Sequence, residues 1–367
     1  MKTTSATVFR RIFLRTGRPR CISLARFVET SAMTTVLLLQ ILLAAEAPPT
    51  LHFSSAAISL PGANGTVALD YFAADRSGGR VWIPAGDTGS VDVLDVATKK
   101  VTRIDGFATA TREIRGKSRS LGPSAVSLGD GIAYLGNRAS SEICAIDARK
   151  LAKLACVALT VPTDGVQYVA ATKEVWVTTP RDQSITIVDA SNARRPKQKA
   201  RIALPGEPEG YAVDEGRGLF FTNLEDKDKS LAIDVRSHRV VKTWNANCGQ
   251  DGPRGLAYDP VKQFLFVACT DHVEVLDAAH DGTILSKLET GAGVDNIDYL
   301  NAQHSLYVAA GKAARLTVAH VDDRGVLTVL GTAATAAGGR CVVVAGDGTA
   351  VVGDPSHGGV LLVSPTR

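Results

Sequence analysis

An all-β, seven-bladed propeller with four-stranded blades is the fold class that this sequence of 367 residues predicts. Three observations carry the prediction. A short β-branched or aromatic run recurs seven times, and a second run, mostly ending in Asp, follows each copy about a dozen residues later. A lone strand near the N-terminus also matches a strand missing from the last copy.

The first series is Val81-Trp82-Ile83, Ala133-Tyr134-Leu135, Val175-Trp176-Val177, Leu219-Phe220-Phe221, Leu265-Phe266-Val267, Leu306-Tyr307-Val308 and Ala350-Val351-Val352, with spacings of 52, 42, 44, 46, 41 and 44 residues. The second is Val93-Leu94-Asp95, Ala145-Ile146-Asp147, Ile187-Val188-Asp189, Ala232-Ile233-Asp234 and Val275-Leu276-Asp277, then Val318-Ala319-His320 and Leu362-Val363-Ser364. Polar turns such as Gly86-Asp87-Thr88-Gly89 separate the two runs and read as strand connections. A further strand with a Gly-rich entry precedes the first run, as at Gly165, Gly210 and Gly255, and a fourth follows the Asp, as at Arg239–Trp244. Four short strands per repeat of this length make a propeller blade. A single blade exposes apolar faces on both sides, so only stacking in a ring buries them.

The seventh copy stops at Arg367 with three strands. Ahead of the first copy lies Ala56-Ala57-Ile58-Ser59-Leu60, closed by Pro61-Gly62. Pairing it beside Val360–Val363 completes the last blade and closes the ring. The recurrent Asp residues have a structural role in this reading, since a carboxylate at a strand end accepts turn amides.

Residues 1–47 read as a leader and 48–367 as a single propeller domain. The leader holds Lys2 and Arg10, Arg11, Arg15, Arg18, Arg20 and Arg26 against Glu29 and Glu46, a net +5; with a chain total of +4, the rest carries −1. The basic excess therefore does not mark a nucleic-acid surface. Val36–Ala45 is an apolar run of ten, too short for a spanning helix, and leads into Ala45-Glu46-Ala47, which reads as a signal-peptide cleavage pattern. Pro48 and the distance from the basic stretch depart from that pattern, Arg10-Arg11 resembles a twin-arginine motif, and Met33 is an alternative start. The location expected is periplasmic or secreted, for a monomer with no membrane span.

Besides Cys21, five cysteines occur, without metal or redox spacing. In an oxidising compartment Cys144 pairs with Cys156 and Cys248 with Cys269, leaving Cys341; five buried thiols are the alternative. A tight turn near Lys150 sets Cys144 directly opposite Cys156 across two strands, within reach of a bridge.

Leu306-Tyr307-Val308-Ala309-Ala310-Gly311 and Leu219-Phe220-Phe221-Thr222-Asn223, the latter followed by Leu231-Ala232-Ile233-Asp234, are similar to the YVTN-type repeat. Residues 51–367 resemble the YVTN-repeat, YncE-like family of bacterial seven-bladed propellers. The resemblance implies the fold and an exported location, and assigns no activity. The Gly-His and Trp-Asp signatures of WD repeats are absent.

Aligning the copies places Asp70, Ser124, Asp164, Glu209, Arg254, Asp295 with Asn296, and Arg340 at the entry to the innermost strand, facing the central channel. Charges of both signs at one axial opening suit a small ligand or a partner loop; a hydrated rim of mutually paired charges is the alternative. No cofactor is expected on the first reading, that of an exported binding or scaffold protein. The second is a metal-dependent, lactonase-type hydrolase, with Glu209, Asn296 and Asp164 holding a divalent cation such as calcium, against which Arg254 and Arg340 would act. Glu225-Asp226-Lys227-Asp228-Lys229 alternates charge as a solvated turn does, and no histidine stands with a Ser or Cys at a nucleophile elbow.

Overall fold

The computed structural model describes residues 50–366 apart from 115 and 251. The leader, Val36–Ala45 and the boundary at residue 47 lie outside the described residues. Among those described, no helix is long and apolar enough to cross a membrane.

Seven antiparallel four-stranded sheets form the blades of a ring. Blade 1 runs from Ala73–Asp75 to Val101–Ile104, blade 2 from Pro123–Gly129 to Ala152–Ala158, and blade 3 from Val166–Val169 to Lys197–Ala203. Blade 4 runs from Pro208–Asp214 to Arg239–Asn245, blade 5 from Leu256–Asp259 to Thr283–Glu289, and blade 6 from Val294–Leu300 to Leu327–Ala334. Blade 7 combines Val342–Val344, Ala350–Asp354 and Gly359–Thr366 with the N-terminal strand His52–Ser59, whose register runs through Ala56↔Leu362 and Ile58↔Val360. The closing strand starts four residues earlier than its apolar segment suggested, because His52–Ser55 is exposed except at the half-buried Phe53 and carries no hydrophobic run.

The burial pattern explains the repeat. Second and third strands are sandwiched between neighbouring blades, so Val175, Trp176 and Val177 are all fully buried, whereas the outer strand Arg239–Asn245 is exposed at all but one position. Apolar side chains gather into seven clusters, one between each pair of adjacent blades. The cluster of Leu69, Val81 and Ile83 with Val351, Val360 and Leu362 joins blade 7 to blade 1. The ring is closed by packing as well as by strand pairing.

The turn chemistry recurs as well. Asp95, Asp147, Asp189, Asp234 and Asp277 each accept an amide hydrogen from the following turn, at 2.7–3.0 Å for Thr98, Lys150, Ser191, Ser237 and Ala279. These bonds lead the causes that hold Asp95 and Asp147 below the ordinary carboxylate range, whereas for Asp189 and Asp234 the hydroxyls of Ser191 and Ser237 come first and the amides second.

Cys144 and Cys156 sit in direct register on the third and outer strands of blade 2 and form a disulfide. A bulge after Ala145 shifts the pairing closer to the turn, so the opposed register holds only above it. The second bridge, Cys248–Cys269, ties the segment after blade 4 to the end of the second strand of blade 5; Cys341 is a buried free thiol. Replacing Cys144 and Cys156 together by Ser is expected to cost about 2–3 kcal/mol in urea unfolding, because the closed loop is short. A loss near zero would show that the strand pairing alone fixes this hairpin.

One element is additional to the blades. The hairpin Ala110–Ile114/Lys117–Leu121 stands between blades 1 and 2 and accounts for the longest repeat spacing.

Candidate functional site

The entry to each innermost strand runs close beside its neighbour around the axis. Backbone bonds cross between blades at this level: Tyr71 N to Ser124 O at 3.0 Å, Gly210 N to Arg254 O at 3.2 Å, Gly255 N to Asp295 O at 2.8 Å and Asn296 N to Arg340 O at 3.1 Å. The spacing leaves no room for side chains there. A Cβ on Gly210 would lie 2.2 Å from the Arg254 carbonyl oxygen, and one on Gly255 2.5 Å from that of Asp295. Glycine is thus required by close approach, and the residues just before it point their side chains at the channel.

A cavity of about 700 Å³ opens at this end, within the usual range for small-molecule sites. Asp70, Ser124, Asp164, Glu209, Arg254 and Arg340 line it together with Thr163, Arg138 and Glu225. Arg138 bridges Asp70, at 2.7 Å, and Asp164. Arg340 bridges Asp295 and Asp70, the latter at 3.7 Å, and Arg254 pairs with Glu225. Glu209 accepts a hydrogen bond from the Tyr71 hydroxyl at 3.3 Å and has no ion pair among the described residues. Asn296 sits apart: it lines a second, deeper cavity of about 180 Å³ with Gln167, Leu256 and Asp298. Tyr71 and Tyr211, from non-adjacent blades 1 and 4, narrow the channel between the two, with ring centroids 5.3 Å apart.

Burial and the surrounding carboxylates set the electrostatics. Glu209 is held well above the ordinary range by burial and then by Asp164, Asp295, Glu225 and Asp70. Burial lifts Asp164 to about 6 against the opposing pull of Arg138, and lifts Asp295 against Arg340. The Tyr71 phenol is raised by burial and by the same acids, which fixes it as a donor. Several buried polar atoms lack partners: Asp164 Oδ2, Thr163 Oγ1 and, in the deeper cavity, Asn296 Nδ2.

Arg138 and Glu225 were not among the entry positions. Each follows the second strand of its blade, as Arg181 does in blade 3, so their side chains reach the mouth from the turn rather than from the inner strand. The same alignment, taken one strand further along each copy, marks them. The outer side of the cavity is completed by Arg112 and Arg119 of the additional hairpin, with Arg181 and Glu207. The alternating-charge turn is engaged rather than merely solvated: Asp226 accepts the Glu207 amide at 2.7 Å and Asp228 the Cys248 amide at 2.9 Å.

Among the described residues, the one set of three His, Cys, Asp or Glu donors within 4.8 Å of one another is Asp271, His272 and Glu289 in blade 5, none of which lines the mouth cavity. Asp164 and Glu209 belong to no such set, and Asn296 does not line their cavity.

No family model and no curated protein matches this sequence. Solved structures do match. Hydrazine synthase of Kuenenia stuttgartiensis aligns with a TM-score of 0.67 at 15% identity, over 84% of this chain and 97% of that one. A chain of a mitotic checkpoint complex gives 0.66 at 14%, over 91% and 99%. A streptogramin B lyase structure gives 0.65 at 10%, over 86% and 98%. The likeness is one of fold. The likeness extends to a synthase, a mitotic checkpoint complex and a lyase, so chemistry has to be argued from this chain's own residues.

Proposed function

We propose that this protein is an exported, non-enzymatic binding propeller that takes a small polar ligand at the charged mouth of its channel. The observation that carries the reading is the cavity of about 700 Å³ whose wall leaves Asp164 Oδ2 and Thr163 Oγ1 buried without partners. Buried polar atoms are ordinarily satisfied, and these two unpartnered ones belong to residues that line the opening. Export is supported by the two disulfides, by the apolar run with its Ala45-Glu46-Ala47 pattern, and by the resemblance to YncE-like propellers with YVTN repeats.

Thermal-shift screening of the mature protein against amines, amino acids, organic acids and sugars tests the proposal. A ligand should raise the melting temperature of the wild type and lose that effect in Arg138→Ala, which unties Asp70 from Asp164. Hits unaffected by substitutions at the mouth would place binding elsewhere on the ring. The hydrolase reading requires a tightly held divalent ion, for which elemental analysis of the purified protein is decisive.

A further inference from the structure

The inner ring of the mouth is richer in acids than its own cations neutralise. Asp70, Asp164, Asp295 and Glu209 share two arginines, Arg138 and Arg340, while Arg254 is engaged by Glu225. Glu209, Asp164 and Thr163 all line the same cavity. Glu209 takes only the Tyr71 hydroxyl, Asp164 Oδ2 takes nothing, and Thr163, 2% exposed, has a hydroxyl without a partner. The outer side has the opposite character. Arg112, Arg119 and Arg181 line it and outnumber the Glu207 carboxylate, and Arg119 has no ion pair among the described residues. Arg112 and Arg119 both stand on the hairpin inserted between blades 1 and 2, an element that no other blade has.

Resting on the channel-mouth reading above, we infer that the ligand is a small zwitterion, with a primary ammonium group against Glu209, Asp164 and Thr163 and a carboxylate against the hairpin arginines. An ammonium has three donors and no acceptor, and it needs two or three oxygens rather than a full coordination shell. Calcium and magnesium draw several carboxylate oxygens together, and among the described residues no three of these acids bring theirs within 4.8 Å of one another. Burial and the neighbouring acids raise the Glu209 carboxyl, and an ammonium placed against it acts in the opposite direction, favouring the carboxylate. At the other end, arginine guanidinium groups match a carboxylate with paired donors.

Three probes of equal chain length test this by calorimetry on the mature protein: 5-aminopentanoate, cadaverine and glutarate. The expected order is 5-aminopentanoate first, cadaverine weaker, and no binding of glutarate. Glu209→Gln keeps an acceptor for Tyr71 and should weaken 5-aminopentanoate and cadaverine alike, by about tenfold or more. Arg119→Ser should weaken 5-aminopentanoate several-fold and leave cadaverine unchanged, a split that general loss of structure does not produce. Glutarate binding as well as 5-aminopentanoate would overturn the zwitterion assignment while leaving the mouth as the site, provided Arg138→Ala abolishes it. Calcium displacing cadaverine from the wild type but not binding Glu209→Gln would assign the acids to a metal instead. If none of the three probes binds, this inference is wrong; if the wider screen also finds no ligand sensitive to Arg138→Ala, the channel-mouth reading falls with it.

Discussion

A chain shortened to begin after Ser59 is expected to lose its sharp unfolding transition and to self-associate through blade 7. The deleted strand His52–Ser59 pairs along its whole length with Gly359–Thr366. That partner is built as an interior strand: Val360 and Val363 are fully buried and Leu362 nearly so. True outer strands, such as Arg239–Asn245, carry exposed polar and charged positions that blunt an edge. The strand also seals two inter-blade clusters, since Phe53 packs against the cluster between blades 6 and 7 and Ile58 against the one between blades 7 and 1. Losing these contacts costs on the order of 5 kcal/mol from apolar burial alone, comparable to the whole stability of many domains. Calorimetry and analytical ultracentrifugation measure both effects, and a synthetic strand peptide should reverse the self-association by adding back to the open edge. A truncated protein that stays monomeric with an unchanged melting temperature would contradict ring closure by this strand.

The second large effect concerns Asp92, in the third strand of blade 1. It is fully buried, its Oδ1 has no partner, and Ser90 donates to Oδ2 at a long 3.4 Å. Arg103 stands opposite it in the register, yet its guanidinium is spent on the carbonyls of Pro61 and Thr88. Burial therefore raises the Asp92 carboxyl to about 6, only partly opposed by Arg103 and Ser90. Below the unfolded value of 3.8 both states are protonated and the group contributes nothing to stability. As pH rises from there to about 6, the unfolded chain releases its proton while the folded one retains it, and the fold is destabilised by up to about 3 kcal/mol. Asp92→Asn removes this titration. Urea unfolding at stepped pH should show the variant gaining on the wild type between pH 4 and 7 and holding a constant advantage above. A difference that does not vary with pH would mean that Asp92 is ionised in the folded state.

The blades were legible because their middle strands are packed on both faces and so read as continuous apolar runs, as at Leu265-Phe266-Val267, repeated at a near-constant period. The inserted hairpin was not. Ala110–Ile114 and Lys117–Leu121 are largely polar and show no alternation, leaving only one over-long repeat spacing as their trace. At the candidate site, alignment of the copies located Asp70, Asp164, Glu209 and Arg340 because each stands at one repeated position beside a closely approached inner strand. Arg138 enters from a different turn, and its bridging of Asp70 and Asp164 depends on side-chain reach between blades, which no spacing within a copy encodes. The Tyr71–Tyr211 contact is of the same kind, formed across the axis by residues 140 positions apart in the chain.

The claim that the channel mouth is the working surface is tested most directly by hydrogen exchange of the mature protein with and without the tightest small ligand from the screen. Added protection should fall at 119–124, 162–164, 207–209 and 338–340, segments that contribute residues lining the mouth cavity. Protection confined to outer strands such as Arg239–Asn245 or Thr283–Glu289, with the mouth segments unchanged, would contradict it.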